Sequence, residues 1–273
     1  LEAQQTKCFM IKISKYVLII IFSTFYSINS LADFVDSRSE FAVYGASKVY
    51  EERHPVDNGF FMSQEGWMAG ISIGTENYDT SDFYTSLQAK LGYGQVDYTS
   101  AGTGTMTGIP DYQIETSGVF GLGLKGTSIR TTPYIGAGFR YLLNASGLKQ
   151  SSTGHYGYDR ESRYIYIPLG INIETKPNNE SYFSFRAEYD YFVYGQQTSY
   201  LSDVSPSYGD ITNDQEEGSG LKLSGKFHFD KSGGIEAYMD YWDIADSKLD
   251  ISGNFMEPRN TTTELGLKFF WSY

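Results

Sequence analysis

Apolar and polar residues alternate with a period of two over segments of about ten residues along much of the chain. In the segment from Phe183 to Val193, every second residue is apolar or aromatic, and polar residues such as Arg186 and Asp190 stand between them. Residues 165–173 and 221–229 follow the same pattern. A tilted β-strand needs about ten residues to cross a bilayer. The pattern therefore predicts strands with one face toward lipid and the other toward a polar interior.

Ten segments show this pattern, and they predict ten strands. We place them at residues 40–50, 66–76, 82–98, 112–125, 131–144, 162–174, 181–195, 219–230, 235–245 and 261–273. Long connections alternate with short ones. The long connections are 51–65, 99–111, 145–161, 196–218 and 246–260; the short ones are 77–81, 126–130, 175–180 and 231–234. This alternation is typical of short periplasmic turns and long external loops. We predict an all-β fold, a closed antiparallel up-and-down transmembrane β-barrel of about ten strands, over residues 33–273.

The one strongly apolar stretch lies near the N-terminus and runs from Tyr16 to Tyr26. Lys12 and Lys15 precede it, and the tripeptide 30–32 follows it with small residues at the two positions that a signal peptidase reads. The apolar core is shorter than the ~20 residues that cross a bilayer as a helix. We therefore predict a signal peptide over residues 1–32 rather than a single membrane anchor.

Cleavage at this site changes the composition of the mature chain. If translation starts at Met10, residues 1–9 are an upstream extension. Cys8, the only cysteine, precedes the apolar stretch, so the mature chain would contain no cysteine for a disulfide or a metal site. Loss of one glutamate and three lysines takes the formal charge from −12 to −14. Such a charge argues against nucleic acid or anionic lipid as a partner.

The aromatic content is high, at 16%, with 24 tyrosines and 18 phenylalanines. The mean hydropathy is only −0.36, which excludes a bundle of membrane helices. A barrel has this composition because half of each strand faces a polar interior. Outside the membrane, a soluble sandwich would not need aromatic residues concentrated toward both ends of its strands.

The last nine residues end in an alternating series of apolar and aromatic side chains. They are Leu267, Phe269, Trp271 and Tyr273. This series resembles the C-terminal insertion signal of Gram-negative outer-membrane barrels. The resemblance implies that the barrel-assembly machinery reads this strand, that the protein lies in the outer membrane, and that lipopolysaccharide and other outer-membrane lipids surround it. We also expect the last strand to pair with the first, near residues 41–50.

A second segment, from Gly157 to Gly170, resembles uncharacterised porin-like outer-membrane proteins. The resemblance to outer-membrane barrels as a whole covers residues 41–273. It carries architecture and location, and it transfers no catalytic residue.

Many charged residues fall on the inward face of the predicted strands. The candidate lumen charges are Arg140, Arg186, Glu188, Asp190, Lys222, Lys226, Glu236 and Asp240. Ten strands enclose a narrow interior that side chains can largely fill. The mixed charges could form a constriction that passes small solutes, or a paired network that compensates buried charge. We favour the network and keep the narrow channel as the alternative function.

An outer-membrane hydrolase is the third possibility, because omptin proteases and lipid A deacylases share this membrane. Such chemistry needs a histidine held by a carboxylate beside a nucleophile or an activated water. His54 stands near Asp57 and His155 near Asp159, whereas His228 faces inward. The chain lacks the Asp-x-His pair of omptins in an external loop and the His-x-Ser of the deacylase. We therefore expect no enzymatic activity, no catalytic residues and no bound cofactor or metal.

The predicted external loops carry a summed charge of about −10, half of it in residues 196–218. The acidic residues there are Asp203, Asp210, Asp214, Glu216 and Glu217. Their spacing is not that of an EF-hand, so we interpret them as solvated charge. Several tyrosines could contact a ligand or belong to the aromatic girdle of the membrane. They are Tyr98, Tyr112, Tyr156, Tyr158, Tyr200 and Tyr208. We interpret glycine-rich residues 101–108 as a flexible loop tip. The sequence favours a structural or surface-interaction role.

Overall fold

The computed structural model describes residues 33–178, 181–230, 232–250, 252–253 and 255–273. The predicted signal peptide and Cys8 lie outside the described residues. Ten long strands form the barrel. They are β1 (Ser37–Arg53), β2 (Phe60–Tyr78), β3 (Phe83–Ser100), β4 (Gly104–Leu122), β6 (Ile129–Asn144), β7 (Arg160–Thr175), β8 (Tyr182–Ser199), β10 (Gly218–Asp230), β11 (Gly233–Ile244) and β12 (Asn260–Ser272). Two short strands, β5 (Leu124–Lys125) and β9 (Ile211–Gln215), and one 3-10 turn, Leu201–Asp203, complete the regular structure.

Each long strand pairs antiparallel with the next long strand, and β12 pairs with β1 to close the barrel. The closing seam matches 13 residues of β1 with β12 without interruption, with Phe41 opposite Trp271. The upper end of β8 pairs with β9, and its lower part pairs with β10. The predicted fold class, strand number and closing pair are confirmed.

The outer surface is apolar and is banded as a membrane protein requires. Aliphatic side chains such as Leu87 and Leu169 are exposed between the two edges of this band. Aromatic rings in mutual contact mark both edges of the band. The lower contacts are Phe41 with Trp271, Phe83 with Phe120 and Phe183 with Phe227; the upper contacts are Trp67 with Tyr93 and Tyr93 with Tyr112. In the described part of the chain, no helix is long and apolar enough to cross a membrane.

Two of the predicted long loops are mostly strand. The β1–β2 connection spans only residues 54–59, and the β3–β4 connection only 101–103. Both hairpins continue beyond the membrane, where the outward face need not be apolar and the lipid-facing pattern fades. In the glycine-rich segment 101–108, only residues 101–103 form the turn at the hairpin tip, because the chain enters β4 at Gly104. The other external connections are long: 145–159, 200–217 and 245–259.

Inward-facing tyrosines lie directly over glycines of the neighbouring strand. A Cβ added to Gly138 would stand 2.1 Å from Cζ of Tyr166, and one added to Gly170 would stand 2.3 Å from Cζ of Tyr134. These glycines leave room for large rings in a narrow interior. The ring of Tyr166 is thereby placed to donate from its hydroxyl to Glu115 at 2.9 Å.

Replacing Gly138 with alanine is expected to destabilise the barrel by about 1–3 kcal/mol, because the new methyl group displaces the Tyr166 ring. Gly225→Ala is the matched control: its Cβ would meet nothing within 4 Å. Urea unfolding in lipid vesicles measures both variants. Equal stability of the two would contradict the close packing described here.

Candidate functional site

The periplasmic end of the lumen is closed around Arg130, whose side chain is completely buried. The guanidinium carbon lies 3.5 Å from the ring centroid of Tyr78 and 5.1 Å from that of Phe34. Its nitrogens contact Asp36 at 2.8 Å and Glu174 at 3.0 Å. The segment that begins at residue 33 thus lies across the barrel mouth and is held by a cation from β6.

A second set of ion pairs lies directly above this closure. Arg38 contacts Glu76 and also Glu174, the latter at 2.7 Å. Arg186 donates to the other oxygen of Glu76 at 2.8 Å. Buried carboxylates on opposite sides of the barrel are therefore bridged by arginines, whose planar guanidinium groups suit two partners at once.

Lys222 occupies the middle of the lumen and faces three carboxylates. Its Nζ lies 2.5 Å from Glu115, 3.1 Å from Glu188 and 2.8 Å from Asp190. Asp190 is fully buried. One ammonium group thus compensates carboxylates from β4 and β8, and this concentrates negative charge around a single cation.

Other lysines of the lumen are paired in the same way. Lys90 contacts Asp240 at 3.1 Å and Glu264 at 2.5 Å. Lys226 lies 3.8 Å from Glu236. These contacts join strands β3, β10, β11 and β12 across the interior.

All eight candidate lumen charges lie inside the barrel. Seven of them form an ion pair with a nitrogen–oxygen distance of 3.8 Å or less. Arg140 is the weakest case: its Nε is 4.0 Å from Glu115, and its guanidinium carbon stands 4.9 Å from the Trp242 ring. The sequence did not single out Arg38, Glu76 or Arg130. Continuing the alternation of inward and outward residues to the ends of each strand would have placed all three in the lumen.

An apolar cluster fills the lumen above Lys222. Its members are Leu142, Tyr164, Tyr166, Phe192, Trp242 and Ile244, all buried. The Trp242 ring lies 5.2 Å from that of Tyr166 and 6.2 Å from that of Tyr164. Rings contributed by β7, β8 and β11 pack together on the inner face of neighbouring wall strands, so this level is narrowed by packing as well as by charge.

One cavity of about 120 Å³ lies between the lysine level and the periplasmic closure. Charged side chains of both signs line it, including Lys226, Glu236 and Arg186. Such a volume holds several ordered waters at most. It is a polar, partly open pocket within the barrel.

The external rim carries a further buried group of charges, which we call the rim cluster: Glu52, Arg160 and Glu257. One guanidinium nitrogen of Arg160 contacts a carboxylate oxygen of both glutamates. Tyr50 donates to Glu52 at 2.8 Å. Burial raises the pKa of the Glu257 carboxyl to about 7; Arg160 opposes this rise and the neighbouring Glu52 adds to it.

The acidic residues of the β8–β10 connection do not form a common site. Asp203 accepts from the Asp159 backbone nitrogen at 2.9 Å, Asp210 from that of Ser202 at 3.0 Å, and Asp214 from Tyr194 at 2.6 Å. These hydrogen bonds hold the pKa of the Asp210 and Asp214 carboxyls below their usual value. Among the residues placed in the structure, no group of three or more His, Cys, Asp or Glu side chains is arranged to hold a metal ion.

The three histidines lie far from one another. His54 Nδ1 is 3.3 Å from Asp57 at the exposed β1–β2 turn. His155 bonds Thr153 at 2.9 Å rather than Asp159, whose carboxylate accepts from the Gly147 nitrogen.

His155 contacts a threonine hydroxyl, and His228 contacts a tyrosine ring. The Thr153 hydroxyl donates to the Thr103 carbonyl at 2.8 Å, so His155 Nδ1 must donate to it and does not activate it. His228 is buried and stacks on Tyr182 with ring centroids 3.8 Å apart.

The aspartates at the first periplasmic turn also have structural partners. Asp79 accepts from the Ser81 hydroxyl at 2.6 Å, and Asp82 pairs with Lys125 at 2.7 Å.

The tyrosines that the sequence associated with the loops fall into three groups. Tyr112 belongs to the upper aromatic edge. Tyr98, Tyr158 and Tyr200 are half-buried at the rim, and Tyr156 and Tyr208 are exposed. Only the last two are free to offer most of their rings to a ligand.

The fold is similar to those of solved outer-membrane proteins. The outer-membrane protease OmpT from Escherichia coli matches 91% of this chain and 99% of its own with a TM-score of 0.51 and 10% sequence identity. The outer-membrane protein OprG from Pseudomonas aeruginosa matches 86% and 97% with a TM-score of 0.37 and 8% identity. No family model and no curated sequence matches the chain. The first likeness establishes the barrel fold, and the lipid-facing band agrees with the predicted outer-membrane location.

Proposed function

We propose that this integral outer-membrane β-barrel does not conduct solutes and acts through its external surface on a cationic partner. The closed lumen is the observation that carries the proposal. Arg130 closes the periplasmic end, and the cluster around Trp242 closes the level above the lysines. We infer that these two levels obstruct the passage of solutes along the barrel.

The charge of the external surface supports a cationic partner. Exposed acidic residues outnumber basic ones in the connections and strand ends above the upper aromatic edge. Glu65 and Glu217 make no ion pair with any described residue. An acidic surface repels the phosphates of the surrounding lipid leaflet and attracts positively charged molecules from solution.

Apolar contact area accompanies this charge at the β1–β2 hairpin. Val56 is 88% exposed, and both Phe60 and Phe61 are exposed because a β-bulge opposite Arg53 interrupts the alternation. Aromatic residues beside charges are typical of binding surfaces. A partner with basic and apolar groups would match this end of the barrel.

We also propose that the chain is not an enzyme. None of the three histidines, in the part of the chain described, has both a carboxylate and a nucleophile within reach. The proposal extends to assembly: the alternating residues from Leu267 to Tyr273, which point toward lipid, are recognised by the barrel-assembly machinery, and lipopolysaccharide packs against the upper band.

Refolded protein in planar bilayers is expected to give no stable conductance steps, because two packed levels obstruct the lumen. Trp242→Ala combined with Arg130→Ala removes the central ring of one closure and the cation of the other, and should introduce conductance. Circular dichroism and heat-modifiable migration confirm that the variant folds. Reproducible steps from the wild-type protein would overturn the non-conducting part of the proposal.

The external surface is tested by binding. Oligolysine is expected to bind vesicle-embedded protein at low salt and to be released as salt rises, whereas oligoglutamate of equal length should not bind. Reversing the charge of exposed Glu65 and Glu217 to lysine should weaken oligolysine binding at least several-fold. Binding that is indifferent to peptide charge, or to these substitutions, would contradict a cationic partner.

A further inference from the structure

The rim cluster has more acid than base. Glu52 and Glu257 are both almost fully buried, and Arg160 is the one cation that contacts them among the described residues. Two ionised carboxylates beside one guanidinium would leave an uncompensated buried charge, which is costly. A proton shared within the pair removes that charge.

The two glutamates belong to different parts of the molecule. Glu52 lies at the upper end of β1, a rigid wall strand, whereas Glu257 lies in the connection between β11 and β12. The backbone of Glu257 is tied to Ser247 on the other side of the same connection: its nitrogen donates to the Ser247 hydroxyl at 2.7 Å. Glu257 therefore holds the base of this connection, residues 245–250 and 255–259, against the barrel.

The same base covers the free edge of β9. Lys248 donates its backbone nitrogen to the Asp214 carbonyl at 3.1 Å. The Asn213 amide donates to the carbonyls of Lys248 at 3.2 Å and of Phe255 at 3.0 Å. If the base leaves the rim, the backbone carbonyl of Asp214 and the side-chain amide of Asn213 on β9 become exposed.

We propose that the rim cluster is a proton-binding site that anchors the base of the β11–β12 connection when one glutamate is neutral and releases it when both are ionised. Release uncovers the outer edge of β9, an unpaired strand edge of the kind to which an extended peptide can add. The anchoring does not depend on the proposed cationic partner, and the two are tested separately.

Every group that faces Glu257 enters this balance. They are Glu52 and Tyr50 from β1, Arg160 and Tyr164 from β7, Tyr158 from the β6–β7 connection, and the neutral amide of Gln197 from β8. Arg160 keeps its charge at any physiological pH. The titrating group is therefore Glu257, which lies on the connection that moves.

The direction of the pH effect follows from the raised pKa of Glu257, about 7 against 4.5 for a solvated glutamate. Protonation stabilises the conformation in which an acid has the higher pKa. Protonation of Glu257 therefore favours the anchored state. Anchoring is strongest below about pH 4.5 and weakens about tenfold per pH unit until about pH 7, above which it is constant.

A spin label on Leu249→Cys, at an exposed site in the base, reports this equilibrium in full-length protein refolded in vesicles. The only other thiol in the sequence is that of Cys8, which is replaced with serine in every labelled variant. A label on Leu148→Cys, exposed in the β6–β7 connection, is the reference site. Mobility at position 249 should rise between pH 5 and pH 8, while mobility at position 148 stays constant.

Three variants in the Leu249→Cys background separate the causes. Glu257→Gln cannot ionise and should keep the label immobile up to pH 9. Glu52→Gln leaves Glu257 alone with Arg160, so the transition should also disappear from this range. Glu216 forms an exposed ion pair with Lys248, which lies on the same connection as Glu257. Glu216→Gln removes this pair and should leave the transition unchanged.

A wild-type label that does not respond to pH would overturn the proposal, and so would an equal response in Glu257→Gln. If Glu257→Gln fails to refold, Glu52→Gln decides: an unshifted transition in that variant refutes the shared proton. Oligolysine binding at pH 5 is then measured on the same samples. Loss of binding with an intact pH transition would count against the cationic partner alone.

Discussion

Replacing Lys222 with methionine is expected to destabilise the barrel by about 3–5 kcal/mol. Methionine has a similar length and is apolar, so packing is largely retained while the cation is lost. Glu115, Glu188 and Asp190 would then share a buried space without their common partner. Equilibrium unfolding in urea, followed by tryptophan fluorescence in lipid vesicles, measures the loss.

Lys125→Met is the matched control. Lys125 pairs with Asp82 at the periplasmic turn, where both side chains are about one third exposed. Exposed pairs contribute about 0–1 kcal/mol. A Lys222 variant as stable as the Lys125 variant would show that the central carboxylates do not need their ammonium group.

Arginine at Leu169 is expected to cost about 2–4 kcal/mol of insertion free energy, because this side chain faces the middle of the bilayer. Phe185→Arg, on the adjacent strand β8, lies two residues above Phe183 of the lower aromatic edge and should cost less. Folding into vesicles, scored by heat-modifiable migration and by titration with denaturant, gives the magnitude.

Gln95→Arg supplies the comparison at the membrane edge. Gln95 faces outward on β3, two residues above Tyr93 in the upper aromatic edge, and arginine at the interface costs about 0–1 kcal/mol. If all three arginine variants insert equally well, the lipid-facing assignment of β7 and β8 is wrong.

The fold was predictable because lipid imposes the same rule on every barrel strand. Residues such as Leu169 and Phe185 must be apolar wherever they meet the bilayer, so the period of two appears ten times. Strand ends were not predictable, because the rule ends with the membrane. Glu65 and Asp97 face outward on β2 and β3 although both are acidic, and they belong to strands that the sequence divided between strand and loop.

The sequence predicted which side chains face the lumen, but not the height along the barrel at which each one lies. Alternation places Lys222 and Glu188 inside, yet their contact depends on strand register and tilt, which one sequence does not specify. The rim cluster was missed for the same reason. Glu52, Arg160 and Glu257 all fall in predicted loops and are brought together only by barrel closure.

The uninterrupted seam between β1 and β12 has a consequence for access to the interior. A barrel whose closing strands share few hydrogen bonds can part sideways and admit a lipid tail through its wall. Here 13 consecutive residue pairs, from Glu40 with Ser272 to Glu52 with Asn260, fasten the two strands along the whole membrane thickness and beyond. Hydrophobic molecules dissolved in the bilayer therefore have no lateral entry to the lumen at this seam.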